Sequence, residues 1–228
     1  HGKFRRQRQM CIRDSYIICL VRTEASSENR HAGFSQIIVD LKNDGAKVRP
    51  IRNMAGGEDF NEVVFDNVLV PKDRIVGEPG NGWQQVTSEL AYERSGPERF
   101  LSSFRVFVEL VRICGDSPSP HQAAAIGRIA SHFMTLRRMS LSVAGMLEAG
   151  KDVSVEAALV KELGNNFEKL LPEIARLVVP DLSAADPDKQ RLFRETFEET
   201  LMLSPSFTLR GGTREIMRGV IARGLGLR

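Results

Sequence analysis

At Pro71 the hydrophobic pattern of this chain changes period, and that change decides what the chain can fold into. From Tyr16 to Val70 short apolar runs alternate with turn residues. YIICLVR, FSQIIVD, KVRPIR and EVVFDNVLV are parted by Gly33, by Asn43-Asp44-Gly45 and by Gly56-Gly57. Runs of this length, rich in Val, Ile and Phe and bounded by Gly and Asn, predict strands. In the last run Val63, Phe65 and Leu69 fall on one face and Val64, Val68 and Val70 on the other, so both faces should be covered. Gly77, Pro79, Gly80 and Gly82 then read as a linker, and from Trp83 onward the period is helical.

The helical part divides at its own stop signals. Ile126, Ile129, Ala130, Phe133, Leu136, Val143, Ala144 and Leu147 form one stripe, opened by Pro118 and Pro120 and closed by Gly150. Ser154 is the expected N-cap of the next helix. Its stripe would run Val155, Leu159, Leu163, Phe167, Leu170, Ile174 and Leu177, with Pro172 kinking it. Asp186-Pro187 reads as N-cap and first helical residue of a helix that buries Leu192, Phe193, Phe197 and Leu201. A last helix should start near Thr213 and bury Ile216, Val220 and Ile221. The expected class is α+β: a small β barrel or sandwich over residues 16–79, then an antiparallel helical bundle over residues 80–228. Residues 1–15 show neither period and are set aside as a basic tail foreign to the fold.

Charge and cysteine narrow the function classes. The formal charge is +3, but residues 1–14 alone carry +4, so the rest sums to −1. A nucleic-acid reading would rest on that tail, with no aromatic or motif beside it, and none is expected. Three cysteines and four scattered histidines give no metal-ligand spacing and no disulfide framework, which fits a reducing cytoplasm. No apolar run approaches the roughly 20 residues that span a bilayer, and no secretory signal is seen.

Two places can carry chemistry. In ELAYERSGPERF, residues 89–100, Pro97 removes the helical hydrogen bond to the carbonyl of Glu93 and Gly96 weakens the same turn. Glu93 and Arg94 therefore sit on a distorted helix end; the plain alternative is a kinked helix with surface charges. In LRGGTREIMR, residues 209–218, Gly211-Gly212 feeds a helix N-terminus with Thr213 as its cap. Such a turn can present N–H groups to an anion, or be an ordinary helix connection.

The run from Gly33 to Trp83 resembles the middle β domain of acyl-CoA dehydrogenases. The likeness lies in Gly45 with Val48 to Ile51, in Asn61-Glu62-Val63 before Phe65-Asp66, Val68 and Val70-Pro71, and in Val76-Gly77-Glu78, Gly80 and Gly82-Trp83. TLRGGTREIMRGVIARGLGLR resembles the family's last catalytic turn and helix. The resemblance implies an FAD enzyme in which a glutamate takes the α-proton of an acyl-CoA thioester while the β-hydrogen leaves as hydride. Many members carry that glutamate in the turn before the final helix, where this chain has Gly211. A minority carry it on the first long helix of the C-terminal domain before an arginine, which here is Glu93 before Arg94; Glu89 and Glu98 are the fallbacks. The same resemblance puts Tyr92, Arg94 and Gly212 at the substrate and Thr213 and Glu215 at FAD. It implies electron-transferring flavoprotein or a similar acceptor, and a homo- or hetero-oligomer. The family's N-terminal helical domain is not found in the sequence, nor are two motifs that help hold FAD. Residues 176–181 read RLVVPD where one is expected. Alternatives are altered FAD contacts or a non-catalytic partner subunit of a heteromeric dehydrogenase; the chain alone is expected to be inactive.

Overall fold

The structure, a computed structural model, describes residues 4–9, 15–25, 28–58, 60–184 and 186–227. The chain divides into two compact units, residues 1–89 and 90–228. Among its described residues the first holds six strands: β1 Phe4–Gln9, β2 Tyr16–Arg22, β3 Phe34–Asp40, β4 Ala46–Ile51, β5 Phe60–Phe65 and β6 Ile75–Val76. They form two three-stranded antiparallel sheets, ordered β1-β5-β4 and β2-β3-β6. The mixed helix-and-sheet class is as expected, while the described architecture is this pair of sheets. Two details differ from the sequence reading. A strand lies in the basic segment before Tyr16: β1 pairs with β5 from Phe4 opposite Phe65 to Gln9 opposite Phe60. Backbone pairing needs no apolar alternation, only an open edge. The last strand is also shorter than expected. It stops at Phe65, and Leu69 is 86% exposed beyond it.

Ser35 and Gln36 on β3 are buried, and Ser35 ties down the segment that leads into the first helix. The Ser35 hydroxyl accepts from the Gly80 N–H at 2.9 Å and shares a 2.7 Å bond with Thr23. Gln85 Nε2 donates to the Val76 carbonyl at 2.9 Å, anchoring the first turn of the helix that follows.

The helices are α1 Gly82–Ser95, α2 Phe104–Cys114, α3 Pro120–Glu148, α4 Ser154–Val178, α5 Pro187–Leu203 and α6 Arg214–Gly224. Ser119 caps α3 through a reciprocal box with Gln122, and Asp186 caps α5 as expected by accepting from the Asp188 and Lys189 N–H groups. The N-cap of α4 is Val153 and not Ser154, with no side-chain cap; Asp152 before it accepts from the Ser154 N–H and hydroxyl, and those bonds hold its carboxyl below the usual range.

Within the second unit α4 is the central element, packed against α2, α3, α5 and α6. Val106 and Leu110, Ile129, Phe133 and Leu136, and Phe193 close around its Ala157, Val160, Phe167 and Leu171. Phe133 sets its edge on Phe167 at 4.7 Å between centroids. The helix runs through Pro172 without interruption. Its inward face is not the expected stripe. Leu163, Leu170 and Leu177 are exposed, whereas Lys161, Asn165 and Glu168 are buried. On α6, likewise, Ile216 is exposed and Met217 is the buried residue.

Gly164 on α4 is needed for a steric reason. A methyl group there would collide with the carbonyl oxygen of Arg99. Gly127 on α3 faces open space. Gly164→Ala should therefore lower the unfolding free energy by about 1–3 kcal/mol, and Gly127→Ala should raise it by roughly 0.5–1 kcal/mol. Urea unfolding of the two variants checks the pair. Equal effects would contradict the close approach of Arg99 to α4.

Candidate active site

The break after α1 is where the chemistry-bearing residues meet. The helix ends at Ser95, Gly96 is extended, and Pro97 opens a 3-10 turn, Pro97–Arg99. Proline leaves the carbonyl of Glu93 without its helical donor. Arg99 supplies one instead: its Nε donates to that carbonyl at 2.7 Å, and its Nη2 donates to Glu93 Oε1 at 2.9 Å. The Arg99 side chain is 3% exposed and that of Glu93 38%, so the arginine lies beneath the carboxylate and leaves it partly open. Glu98 adds a longer contact to Arg99 Nε at 3.5 Å. Arg99 Nη1 is buried with no hydrogen-bond partner.

The glycine turn closes on the same place. Gly211 and Gly212 have φ of 67° and 106°, values that L side chains adopt only under strain. Arg94 Nε donates to the Gly211 carbonyl at 3.0 Å, tying the end of α1 to this turn. A Cβ at Gly211 would stand 3.4 Å from Glu93 Oε1 and 3.5 Å from Lys161 Cε. At Gly212 it would meet Met217 Cε at 3.0 Å and Arg94 Nη2 at 3.8 Å.

Beneath the turn lies a buried polar layer on α4. With the Asn165 amide oriented to satisfy its neighbours, its oxygen accepts from Lys161 Nζ at 2.8 Å and its nitrogen donates to the Phe207 carbonyl at 3.3 Å. Glu168 accepts from the Ser102 N–H at 2.7 Å and from Arg210 Nη2 at 3.0 Å, while Arg210 Nη1 donates to the Ser102 hydroxyl at 2.9 Å. Burial dominates the ionisation here. It pushes Glu168 up and Arg210 down, each opposed by the other's charge. It also lowers Arg94, opposed by Glu93. Lys161 is pushed down to about 8 by burial, helped by the Arg99 and Arg94 charges. Glu162, on the α6 side, is raised by burial, but bonds from Arg214, Arg218 and Asn166 outweigh this and hold it low.

Of the residues singled out in the sequence, Glu93, Arg94 and Gly212 are brought together within this unit. Tyr92 is 63% exposed beside them. Glu98 borders the group through Arg99, whereas Glu89 is an exposed residue of the first unit. Thr213 makes no side-chain cap on α6; its hydroxyl interacts with the exposed Glu215, whose carboxyl is held below its ordinary value by a backbone hydrogen bond and by Thr213. Sequence reading missed Arg99, Lys161, Asn165, Glu168 and Arg210. For the α4 residues a signal existed: polar groups at steps of four and three inside a long apolar helix. Among the described residues no cluster of His, Cys, Asp or Glu could hold a metal ion, and no helix is long and apolar enough to cross a membrane.

Comparison with solved structures defines the class of fold. The ChsE4-ChsE5 complex from Mycobacterium tuberculosis matches with a TM-score of 0.73 over 97% of this chain and 60% of the other, at 23% identity. No family model matches the sequence. Among relatives, the acyl-CoA dehydrogenase IpdE1 of Mycobacterium tuberculosis is 32% identical over 212 residues, 91% of this chain and 54% of the relative. FadE29 of the same organism, another acyl-CoA dehydrogenase, is 30% identical over 217 residues, 91% of this chain and 55% of the relative. The chain is a member of the acyl-CoA dehydrogenase family, and it spans about half the length of the curated relatives it matches.

The buried lysine gives a test of the polar layer. Between about pH 8 and 10.5 unfolded Lys161 holds a proton that the folded residue has lost, so stability should rise with pH across that window. Relative to Lys161→Met, the wild-type chain should gain about 2 kcal/mol from pH 7.5 to pH 10. Urea unfolding at the two pH values measures this; a constant difference would mean that Lys161 is not titrating in a buried site.

Proposed function

We propose that this chain carries the base of an FAD-dependent acyl-CoA dehydrogenase, and that Glu93 is that base. The observation that carries the reading is the position of its carboxylate, 3.4 Å from where a side chain on Gly211 would begin. In many similar enzymes the turn at that point bears the glutamate. Here a glycine leaves the space open, and a carboxylate from the end of α1 reaches it. The reaction is α,β-dehydrogenation of an acyl-CoA thioester to the trans-2-enoyl-CoA.

The demands on the protein follow from the substrate. An α-proton is weakly acidic, so its removal needs a base at contact distance and a polarised thioester carbonyl. Glu93 accepts the α-proton, the α-carbon's electron pair becomes the new C=C bond, and the β-hydrogen departs with its own pair. FAD, when bound, supplies the acceptor for that hydride. Gly212 allows a thioester to lie along the turn without a side chain in the way. Arg94 fixes the turn through the Gly211 carbonyl and keeps its position relative to Glu93. Tyr92, exposed on the same helix end, is available to the acyl-CoA. Thr213 and Glu215 fit a contact with FAD: the threonine hydroxyl is not spent on capping α6, and the glutamate is exposed. The carboxylate suits a hydroxyl or N–H of the cofactor and not its phosphates. An electron-transferring flavoprotein is the expected electron acceptor.

A second reading makes the chain one subunit of a heteromeric dehydrogenase, since the ChsE4-ChsE5 neighbour is itself a complex of two named components. The row of Leu163, Leu170 and Leu177, exposed along one line of α4, supports assembly with another chain. One assay separates the readings. With an acyl-CoA and an artificial electron acceptor, Glu93→Gln in the holoenzyme should lower kcat by about a thousandfold with the FAD content unchanged. Turnover that survives the substitution would place the base elsewhere, on a partner subunit if it also needs co-expression of a second protein.

A further inference from the structure

We infer that Arg99 is the positioning residue for Glu93, a role that rests on Glu93 being the base. Three observations point to it. Arg99 bonds Glu93 twice, once at the main-chain carbonyl that Pro97 strips of its helical donor and once at the carboxylate. A flexible side chain held at both its root and its tip has little freedom left, which is what proton abstraction at a fixed carbon requires. Next, the arginine is anchored from below. Its turn backs onto α4 where Gly164 leaves room for its carbonyl, and Ser102 and Ser103, three and four residues on, bond Glu168 of the same helix. Last, Arg99 holds this geometry with Nη1 buried and unpartnered and with the Lys161 charge close by. A buried N–H without an acceptor is unfavourable. The cost is explained if the guanidinium serves Glu93.

The inference separates function from stability, so its test reads both. In the holoenzyme, exchange of the substrate's α-hydrogen with D2O, followed by mass spectrometry, reports proton abstraction independently of hydride transfer. Arg99→Met should slow this exchange by about 100-fold with the KM for the acyl-CoA within a factor of about three, measured well below the variant's unfolding midpoint, which loss of the donor to the Glu93 carbonyl should lower. Arg99→Lys keeps the charge but not the two-pronged grip, and should recover part of the rate, remaining roughly tenfold slow. Exchange at the wild-type rate in either variant, in a protein where Glu93→Gln abolishes it, would overturn the inference and leave the base assignment standing. Exchange that persists in Glu93→Gln itself would remove the base assignment, and the inference with it. Should Arg99→Met fail to fold, Arg99→Lys alone decides: a slow, folded variant supports the role and a wild-type rate ends it.

Discussion

The second unit depends on one hydrogen bond that a helix cannot make. Pro97 takes the N–H away from the carbonyl of Glu93, and the buried guanidinium of Arg99 restores a donor from the side. Helix α1 ends there, the chain turns beneath itself, and the carboxylate of Glu93 is held by the same guanidinium. The arrangement requires Gly164, because the Arg99 carbonyl rests on α4 at that point. It also brings Ser102 and Ser103 to Glu168. A single proline thus fixes a helix end, a packing contact and a carboxylate position together.

On the proposed reading, this is how a glycine can stand where many similar enzymes have their glutamate. The left-handed backbone of Gly211 costs an ordinary residue about 1 kcal/mol or more. With the carboxylate supplied from α1, nothing needs to be carried at that strained position. Arg94 then couples the two elements, since it sits next to Glu93 in sequence and donates to Gly211 in space. In the proposed mechanism base and turn move as one piece, and the distance between them is set by the protein and not by the ligand.

Much of the fold was legible because periodicity is a local signal. The strands FSQIIVD and YIICLVR, the Pro-started helix at 120 and the Asp186 cap all follow from neighbours within a few residues. The distorted helix end at Glu93 was legible for the same reason. What sequence hid was long-range. Arg99 and Lys161 lie 62 residues apart in the chain, and only packing shows that they share a site. On α4 leucine does not by itself mark the inward face. The helix instead buries small residues such as Ala157 and Gly164 with Lys161, Asn165 and Glu168, and turns Leu163, Leu170 and Leu177 outward. Hydrophobicity gives a helix face only when the core is apolar, and here part of the core is a hydrogen-bonded polar layer. The strand at Phe4–Gln9 was hidden for another reason: its pairing is with the backbone of β5, and the sequence FRRQRQ has no alternating apolar pattern.

The central claim is one of distance, so the most direct test is a crystal structure of the FAD-loaded enzyme with a non-oxidisable acyl-CoA analogue. If the account holds, the carboxylate of Glu93 will lie about 3–3.5 Å from the α-carbon of the acyl group, with Arg99 still bonded to it from beneath. An α-carbon that faces another carboxylate, with Glu93 beyond reach, would contradict it.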